Sequence, residues 1–349
     1  GGACRYSYAH RAKKTRMPTP PMFRDATILI TGATGSFGQA LTHRLLAEHE
    51  PRAVRLFSRD EFKQSQVAKA LGGDDRLRFL IGDVRDRDRL LLASRGVDVI
   101  VHAAAMKQVP ACEYNPTEAL RTNVGGAENV IWAAIANDVP HTIALSTDKA
   151  ANPVNLYGAT KLAAEKLFTQ ANAYAGESPA RFANVRYGNV VGSRGSVVPL
   201  FREQARTGVV TLTDPRMTRF FITLEDAVTF VIDSLGRMVG GEVFVPKLPS
   251  MRLPELAAAI APGARQVVTG IRPGEKLHEV LVTEDEARSA VDIGDSFVIV
   301  PPGSAERFGG TPCPDGFRYA SDVNDEWLGV DDLRALVWGP EVVALPLAS

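Results

Sequence analysis

The stretch Ala26-Thr27-Ile28-Leu29-Ile30-Thr31-Gly32-Ala33-Thr34-Gly35-Ser36-Phe37-Gly38 decides the fold. Its first six residues are an apolar run of strand length. The glycines that follow are spaced GxxGxxG, and the helical pattern QALTHRLLAEHE continues from residue 39. Glycines at that spacing permit a tight turn, a close backbone approach to a pyrophosphate, and tight helix–strand packing. The helix that opens there offers amide donors and partial positive charge to phosphates. A glycine triplet by itself marks only a strand-to-helix turn; the strand before it and the helix after it point to a dinucleotide site. Gly32, Thr34, Gly35, Ser36, Phe37 and Gly38 are the expected contacts.

The same rhythm extends outward. Buried-strand runs lie at 53–57 (AVRLF), 77–81 (LRFLI), 97–101 (VDVIV), 141–146 (HTIALS) and 181–187 (RFANVRY). Helical patterns lie between them, one starting at Pro116 after a capping Asn115 and running to about residue 137, another covering about 156–175. Short apolar strands separated by helices predict an α/β fold with a Rossmann-type, doubly wound parallel sheet covered on both faces. After Gly188 the rhythm breaks into short strands, prolines and arginines. We expect the sheet domain over 24–190, with 217–240 returning to it, and a smaller C-terminal α/β substrate-binding lobe from 191–216 and 241–340. Residues 1–23 are basic and polar, without the apolar stretch of a secretory signal, and read as a disordered leader or tag remnant.

Composition narrows the classes. The chain has 349 residues, 45% hydrophobic and 23% charged, with 40 basic and 40 acidic residues. That balance gives no global basic field for nucleic acid or an anionic membrane. No apolar run approaches the ~20 residues of a membrane span. Three distant cysteines, Cys4, Cys112 and Cys313, show neither metal spacing nor a disulfide framework and suit reduced thiols in the cytoplasm. No metal is expected.

The loop after the second strand tunes cofactor choice. An acid there binds the ribose of NAD. This chain has Ser58-Arg59-Asp60-Glu61-Phe62-Lys63. Arg59, with Ser58 and Lys63, suits a 2′-phosphate and predicts NADP; the alternative is Asp60 serving NAD. Asp83, followed by Val84, can meet the adenine amino group or cap a helix. Small Ala103, Ala104 and Ala105 let the backbone lie against the cofactor, and His102 reads as structural.

Tyr157-Gly158-Ala159-Thr160-Lys161 carries the chemistry. Tyr and Lys at i and i+4 share a helix face. A phenol with an ordinary pKa near 10 is a poor base; a nearby ammonium and an oxidised nicotinamide favour the phenolate. Such a Tyr takes a proton from a sugar hydroxyl as hydride leaves its carbon. Ser146-Thr147-Asp148-Lys149 lies at the end of the adjoining strand. Thr147 can hold the reacting hydroxyl. Asp148 and Lys149 add an acid and a base, more than alcohol oxidation needs. Their alternative reading is a turn pair at a helix entry.

The segments TGATGSFGQA, SRDEFKQ, GDVRD, HAAAMKQVPACEYNPTEALRTNVGGAENV, STDKAANPVNLYGATK, RYGNVVGSRGSVVP, MTRFFIT, VPKLPSM and GIRPGEKLHE together resemble the UDP-N-acetylglucosamine 4,6-dehydratase (5-inverting) family of the extended short-chain dehydrogenase/reductases, over roughly residues 24–336. The resemblance implies that Tyr157 and Lys161 oxidise carbon 4 and Thr147 orients the substrate. It implies that Lys149 removes the carbon-5 proton, Asp148 protonates the departing carbon-6 hydroxyl, and hydride returns from NADPH to carbon 6. Reprotonation of carbon 5 on the opposite face gives the inverted 4-keto-6-deoxy sugar, the entry to pseudaminic acid. It also implies a homo-oligomer acting on UDP-N-acetylglucosamine or a similar UDP-sugar. GAT replaces the family's frequent GGT in the glycine turn, and Tyr157 stands where retaining and membrane-bound relatives tend to carry Met.

In the second lobe Asn189, Arg194, Arg219, Arg272 and Lys276 lie in segments able to reach a diphosphate. Glu275 can bind ribose, and Lys107 and Asn123 can face the site. Two other readings compete. A UDP-sugar 4-epimerase shares the first hydride step but needs no acid–base pair for water loss. A non-catalytic cofactor sensor usually loses the Tyr or the Lys, and both are present here.

Overall fold

The computed structural model describes residues 21–192, 197–301 and 303–339. Its strands are β1 (Thr27–Thr31), β2 (Ala53–Ser58), β3 (Leu77–Ile81), β4 (Val99–His102), β5 (His141–Leu145), β6 (Arg181–Val185), β7 (Asn189–Val190), β8 (Val209–Leu212), β9 (Thr218–Ile222), β10 (Val243–Pro246), β11 (Ser250–Arg252), β12 (Arg265–Val268), β13 (Val280–Val282), β14 (Ala290–Asp292), β15 (Ser296–Ile299), β16 (Thr311–Pro312) and β17 (Tyr319–Ala320). Among the described residues the main sheet has ten strands, ordered β16-β14-β15-β10-β6-β5-β4-β1-β2-β3. Pairing is parallel from β3 across to β10. β15, β14 and β16 extend the sheet antiparallel.

Every residue of β1 is buried, as a central strand covered on both faces requires. On one face Leu41 and Leu45, from α1 (Ser36–Glu48), pack with Val228 and Val231. On the other, Leu90, Ile131 and Phe168 form a second core. A separate lobe core of Phe201, Leu212, Met251, Leu256 and Leu333 holds β8, β11 and the helices beside them.

Three boundaries differ from the sequence reading. Phe23 is 1% exposed and packs in the first core, so the end of the segment assigned to a leader contributes to the sheet domain. β10 and β14–β16 belong to the main sheet rather than to the lobe; their alternation does not say which partner strand they take. The helix predicted over 116–137 is broken. Pro116–Ala119 leads into a π-helical turn, Leu120–Gly125, before Gly126–Ala136 resumes. Asn115 does not cap it; its side-chain amide donates back to the Ala111 carbonyl (3.0 Å).

Candidate active site

The glycine turn behaves as its spacing predicts. Gly32 has φ +70°, and a Cβ there would lie 2.8 Å from the Ala104 nitrogen. A Cβ on Gly38 would lie 2.6 Å from the Ala33 Cα, so only glycine lets α1 approach the strand this closely. Gly35 is the N-cap of α1 with no side-chain acceptor, which leaves the first-turn amides at Ser36 and Phe37 directed out of the helix start.

Around this turn the structure sorts the remaining expectations. The Ser58 hydroxyl is buried and accepts from Gln64 (3.0 Å). The Arg59 side chain is 62% exposed and stands 3.7 Å from Asp83. Lys63 pairs with Asp60 (3.2 Å), and Asp60 caps the helix Glu61–Ala70. Asp60 therefore has a structural task, whereas Asp83 does not cap a helix: Asp86 does that for Arg87–Ala93. Asp83 accepts instead from the Arg85 backbone and guanidinium. Burial opposes its charge, but Arg85 and Arg59 outweigh that and hold its carboxyl below the usual range. Val84 lies buried under Gly126, and Ala103–Ala105 follow β4 beside the turn, partly or fully exposed. His102 is buried, bonded to Thr31 (2.8 Å), and lowered to about 3 by burial and by Lys161: a neutral, structural ring.

The candidate reacting centre sits where β5 gives way to the helix Leu156–Tyr174. Asn155 caps that helix; its oxygen accepts from Gly158 N (2.8 Å) while its amide donates to the Gly274 carbonyl (2.8 Å). One side chain thus starts the helix bearing Tyr157 and ties it to the 272–276 loop of the second lobe. Gly158 is required too, since a Cβ there would lie 2.2 Å from the Lys149 carbonyl oxygen. Thr147 donates to Asp148 Oδ1 (2.8 Å), and Lys149 Nζ donates to the same oxygen (3.0 Å). Asp148 Oδ2 is buried with no hydrogen-bond partner in the protein.

Burial pushes the half-buried Tyr157 phenol up to about 12, while the charge of Lys149 and a hydrogen bond with Thr147 pull it down. The cation that pulls the phenol down most is therefore Lys149 rather than the Lys161 of the i, i+4 pair. Lys161 is buried (6% exposed), and desolvation lowers it to about 8 against the pull of Glu165. Burial also works against the Lys149 charge, but Asp148 and Glu279 outweigh it and raise its pKa above the ordinary lysine value.

The second-lobe expectations divide. Asn189 Oδ1 is buried without a hydrogen-bond partner, as an atom awaiting a ligand would be. The Arg219 donors go to the carbonyls of Thr218, Leu277 and Lys276, and its Nε lies 3.6 Å from Glu279. Lys276 donates to the Ala151 carbonyl (2.6 Å). Both cations are engaged by the protein. Arg272 is exposed, and Glu275 closes its turn by accepting from Arg272 N (3.1 Å). Lys107 is exposed. Asn123 is 2% exposed and bonds the Met106 backbone N–H and carbonyl and Thr160 (2.9 Å), so it braces the loop after β4 from within the π-turn. Arg194 lies outside the described residues. Among those residues no group of His, Cys, Asp and Glu could hold a metal.

Two participants escaped the sequence reading. Glu279, the last residue of GIRPGEKLHE, is buried beside Lys149, Arg219 and Lys276. Its only signal is a carboxylate at the head of the apolar run VLV. Glu165 accepts from Ser146 (2.7 Å) and Arg186 (2.5 Å); its spacing four residues beyond Lys161 was legible.

A glycine turn on a parallel sheet, opposite a helix carrying Tyr157 and Lys161, is the arrangement of an extended short-chain dehydrogenase/reductase. The model of a polysaccharide biosynthesis protein family matches residues 28–301. The chain is 48% identical over 329 residues to a UDP-N-acetylglucosamine 4,6-dehydratase (inverting) of Campylobacter jejuni subsp. jejuni serotype O:23/36, covering 90% of this chain and 98% of that one. A UDP-glucose 4-epimerase of Rickettsia canadensis is 43% identical, covering 80% and 84%. The crystal structure of Pen from Bacillus thuringiensis superposes with a TM-score of 0.83 at 38% identity, covering 90% and 99%. The chain belongs to the UDP-N-acetylglucosamine 4,6-dehydratase (inverting) family, within the polysaccharide biosynthesis proteins. Among the described residues no helix is long and apolar enough to cross a membrane.

Proposed function

We propose that the protein is an NADP-dependent UDP-N-acetylglucosamine 4,6-dehydratase that inverts carbon 5. The observation that carries this reading is the Asp148–Lys149 pair one hydrogen bond apart beside Tyr157, with one Asp148 oxygen buried and unpartnered. An epimerase or a simple dehydrogenase has no use for that pair.

The glycine turn and the 103–105 backbone would hold the dinucleotide: Gly32 leaves space against Ala103 and Ala104 that a Cβ would fill. Arg59 is the exposed cation suited to a 2′-phosphate. When bound, NADP accepts a hydride from the sugar and later returns it. Tyr157 takes the proton of the carbon-4 hydroxyl, and the positive charges of Lys149 and Lys161 favour its phenolate. With carbon 4 a ketone, the carbon-5 hydrogen is acidic.

Lys149 must be neutral to remove that proton, and Asp148 must be protonated to release water from carbon 6. Resting as ammonium and carboxylate, each holds the form opposite to its task. Transfer of one proton from Lys149 to Asp148 across their 3.0 Å hydrogen bond makes both reactive together. Elimination then returns the proton to Lys149 from carbon 5 and takes one from Asp148 with the leaving hydroxyl. The ion pair is restored and no net proton is consumed.

The test is incubation with NADP and UDP-N-acetylglucosamine in heavy water. A product lighter by one water, with deuterium at an inverted carbon 5, supports the reading. An isomer of unchanged mass would replace it with epimerisation, and a retained carbon-5 configuration would overturn inversion.

A further inference from the structure

Glu279 has no place in the proton transfers above, yet it is the charge around which the site's cations gather. It heads β13 and is 2% exposed. Three cations from three segments converge on it: Lys149 Nζ (3.7 Å) after β5, Arg219 Nε (3.6 Å) on β9, and Lys276 Nζ (3.6 Å) on the loop before β13. Its Oε2 has no hydrogen-bond partner. Its backbone is fixed as well: its N–H donates to Ser321 Oγ (2.9 Å), and the Ser321 N–H donates to the Glu279 carbonyl (2.8 Å). A buried carboxylate held this firmly, at ion-pair rather than hydrogen-bond distance from three cations, acts through its charge more than through a contact.

We propose that Glu279 is a positioning residue that gathers Lys149, Arg219 and Lys276 and sets the pH at which Lys149 gives up its proton. The role assigned to Lys149 rests on the function proposed above; the electrostatic claim does not. The charged and titratable groups around Lys149 are Asp148, Glu279, Arg219, Tyr157 and Lys276, whose Nζ also donates to the Asp148 carbonyl (3.4 Å). Of these, Asp148 and Glu279 supply the negative charge. With Glu279 neutral, one carboxylate is left facing three cations, and the ammonium of Lys149 loses one of its two stabilising partners. Arg219 and Lys276 keep their carbonyl contacts.

The experiment is a pH titration of protein labelled with [ε-13C]lysine, with the Lys149 signal assigned by its disappearance in Lys149→Arg. In Glu279→Gln the Lys149 midpoint is expected to fall by about one pH unit or more relative to the unaltered chain, the scale of losing one opposite charge at this range. The pH profile of sugar turnover should move the same way. A purely structural role would reduce turnover at every pH without moving either curve. Should Glu279→Gln fail to fold, Glu279→Asp withdraws the charge by one methylene and is expected to give a smaller fall. A folded Glu279→Gln variant in which neither the Lys149 midpoint nor the turnover profile lies lower in pH than in the unaltered chain overturns the proposal. A shifted signal in a chain that never dehydrates the sugar sinks the functional reading and leaves this one standing.

Discussion

Replacing Arg186 with leucine tests how the helix bearing Tyr157 and Lys161 is tied to the C-terminal segment. Arg186 follows β6 and is fully buried. All five of its N–H groups are used: Nε and Nη2 donate to Glu165, Nη1 and Nη2 to Glu286, and Nη1 also to the Leu281 carbonyl, at 2.5–3.1 Å. Glu165 lies on the helix of Tyr157 and Lys161; Glu286 closes a capping box with Thr283 in the C-terminal segment. One guanidinium therefore pins the helix bearing Tyr157 and Lys161 to the 281–286 segment that leads into β14. Arg186→Leu leaves two carboxylates facing each other without a cation, and breaking a buried pair in this way costs about 3–5 kcal/mol. At about 2 °C per kcal/mol for a chain of this size, the melting temperature should fall by roughly 6–10 °C.

The pH dependence has a definite sign. Burial opposes the Glu286 charge, but Arg186 and the Thr283 bonds outweigh it and lower its pKa. Its contribution is therefore present above the unfolded carboxyl pKa and is lost as pH falls through the lower, folded value. In Arg186→Leu the buried carboxyls instead prefer their protons, so the variant recovers part of the loss between pH 7 and pH 5. Urea unfolding at both values measures this. A loss below about 1 kcal/mol at pH 7, or one unchanged at pH 5, refutes the reasoning.

Other outcomes follow from the same coordinates. Tyr157→Phe should lower turnover by about 10²-fold or more while cofactor binding, followed by fluorescence, persists. Gly158→Ala places a Cβ 2.2 Å from the Lys149 carbonyl oxygen; it should destabilise by about 1–3 kcal/mol and displace Lys149, seen as a lower melting temperature together with lost turnover. Lys161→Met should stabilise the protein at pH 7, because a lysine falling from 10.5 to about 8 on folding opposes folding by up to roughly 3 kcal/mol. That penalty is complete below pH 8 and vanishes above 10.5, so the gain in melting temperature should shrink as pH rises between them. Arg59→Ala should weaken NADP binding about tenfold in a direct titration and leave NAD unaffected.

The parallel sheet and its glycine turn are legible in the sequence alone. Glycine spacing, strand-length apolar runs and the Tyr157–Lys161 interval are local patterns, and local patterns report backbone geometry and shared helix faces directly. The reading of glycine jobs at Gly32 and Gly38 and of a structural His102 needed nothing more. Only the tertiary structure decided which charges meet. Glu279 lies 130 residues beyond Lys149 in the chain, Arg186 joins partners from both sides of it, and Arg219 and Lys276 turn from expected phosphate ligands into braced neighbours of a buried acid. Coulombic interactions act through space and leave no periodicity along a chain, so the directions in which Tyr157, Lys149 and Lys161 are shifted follow from packing and burial, not from motif.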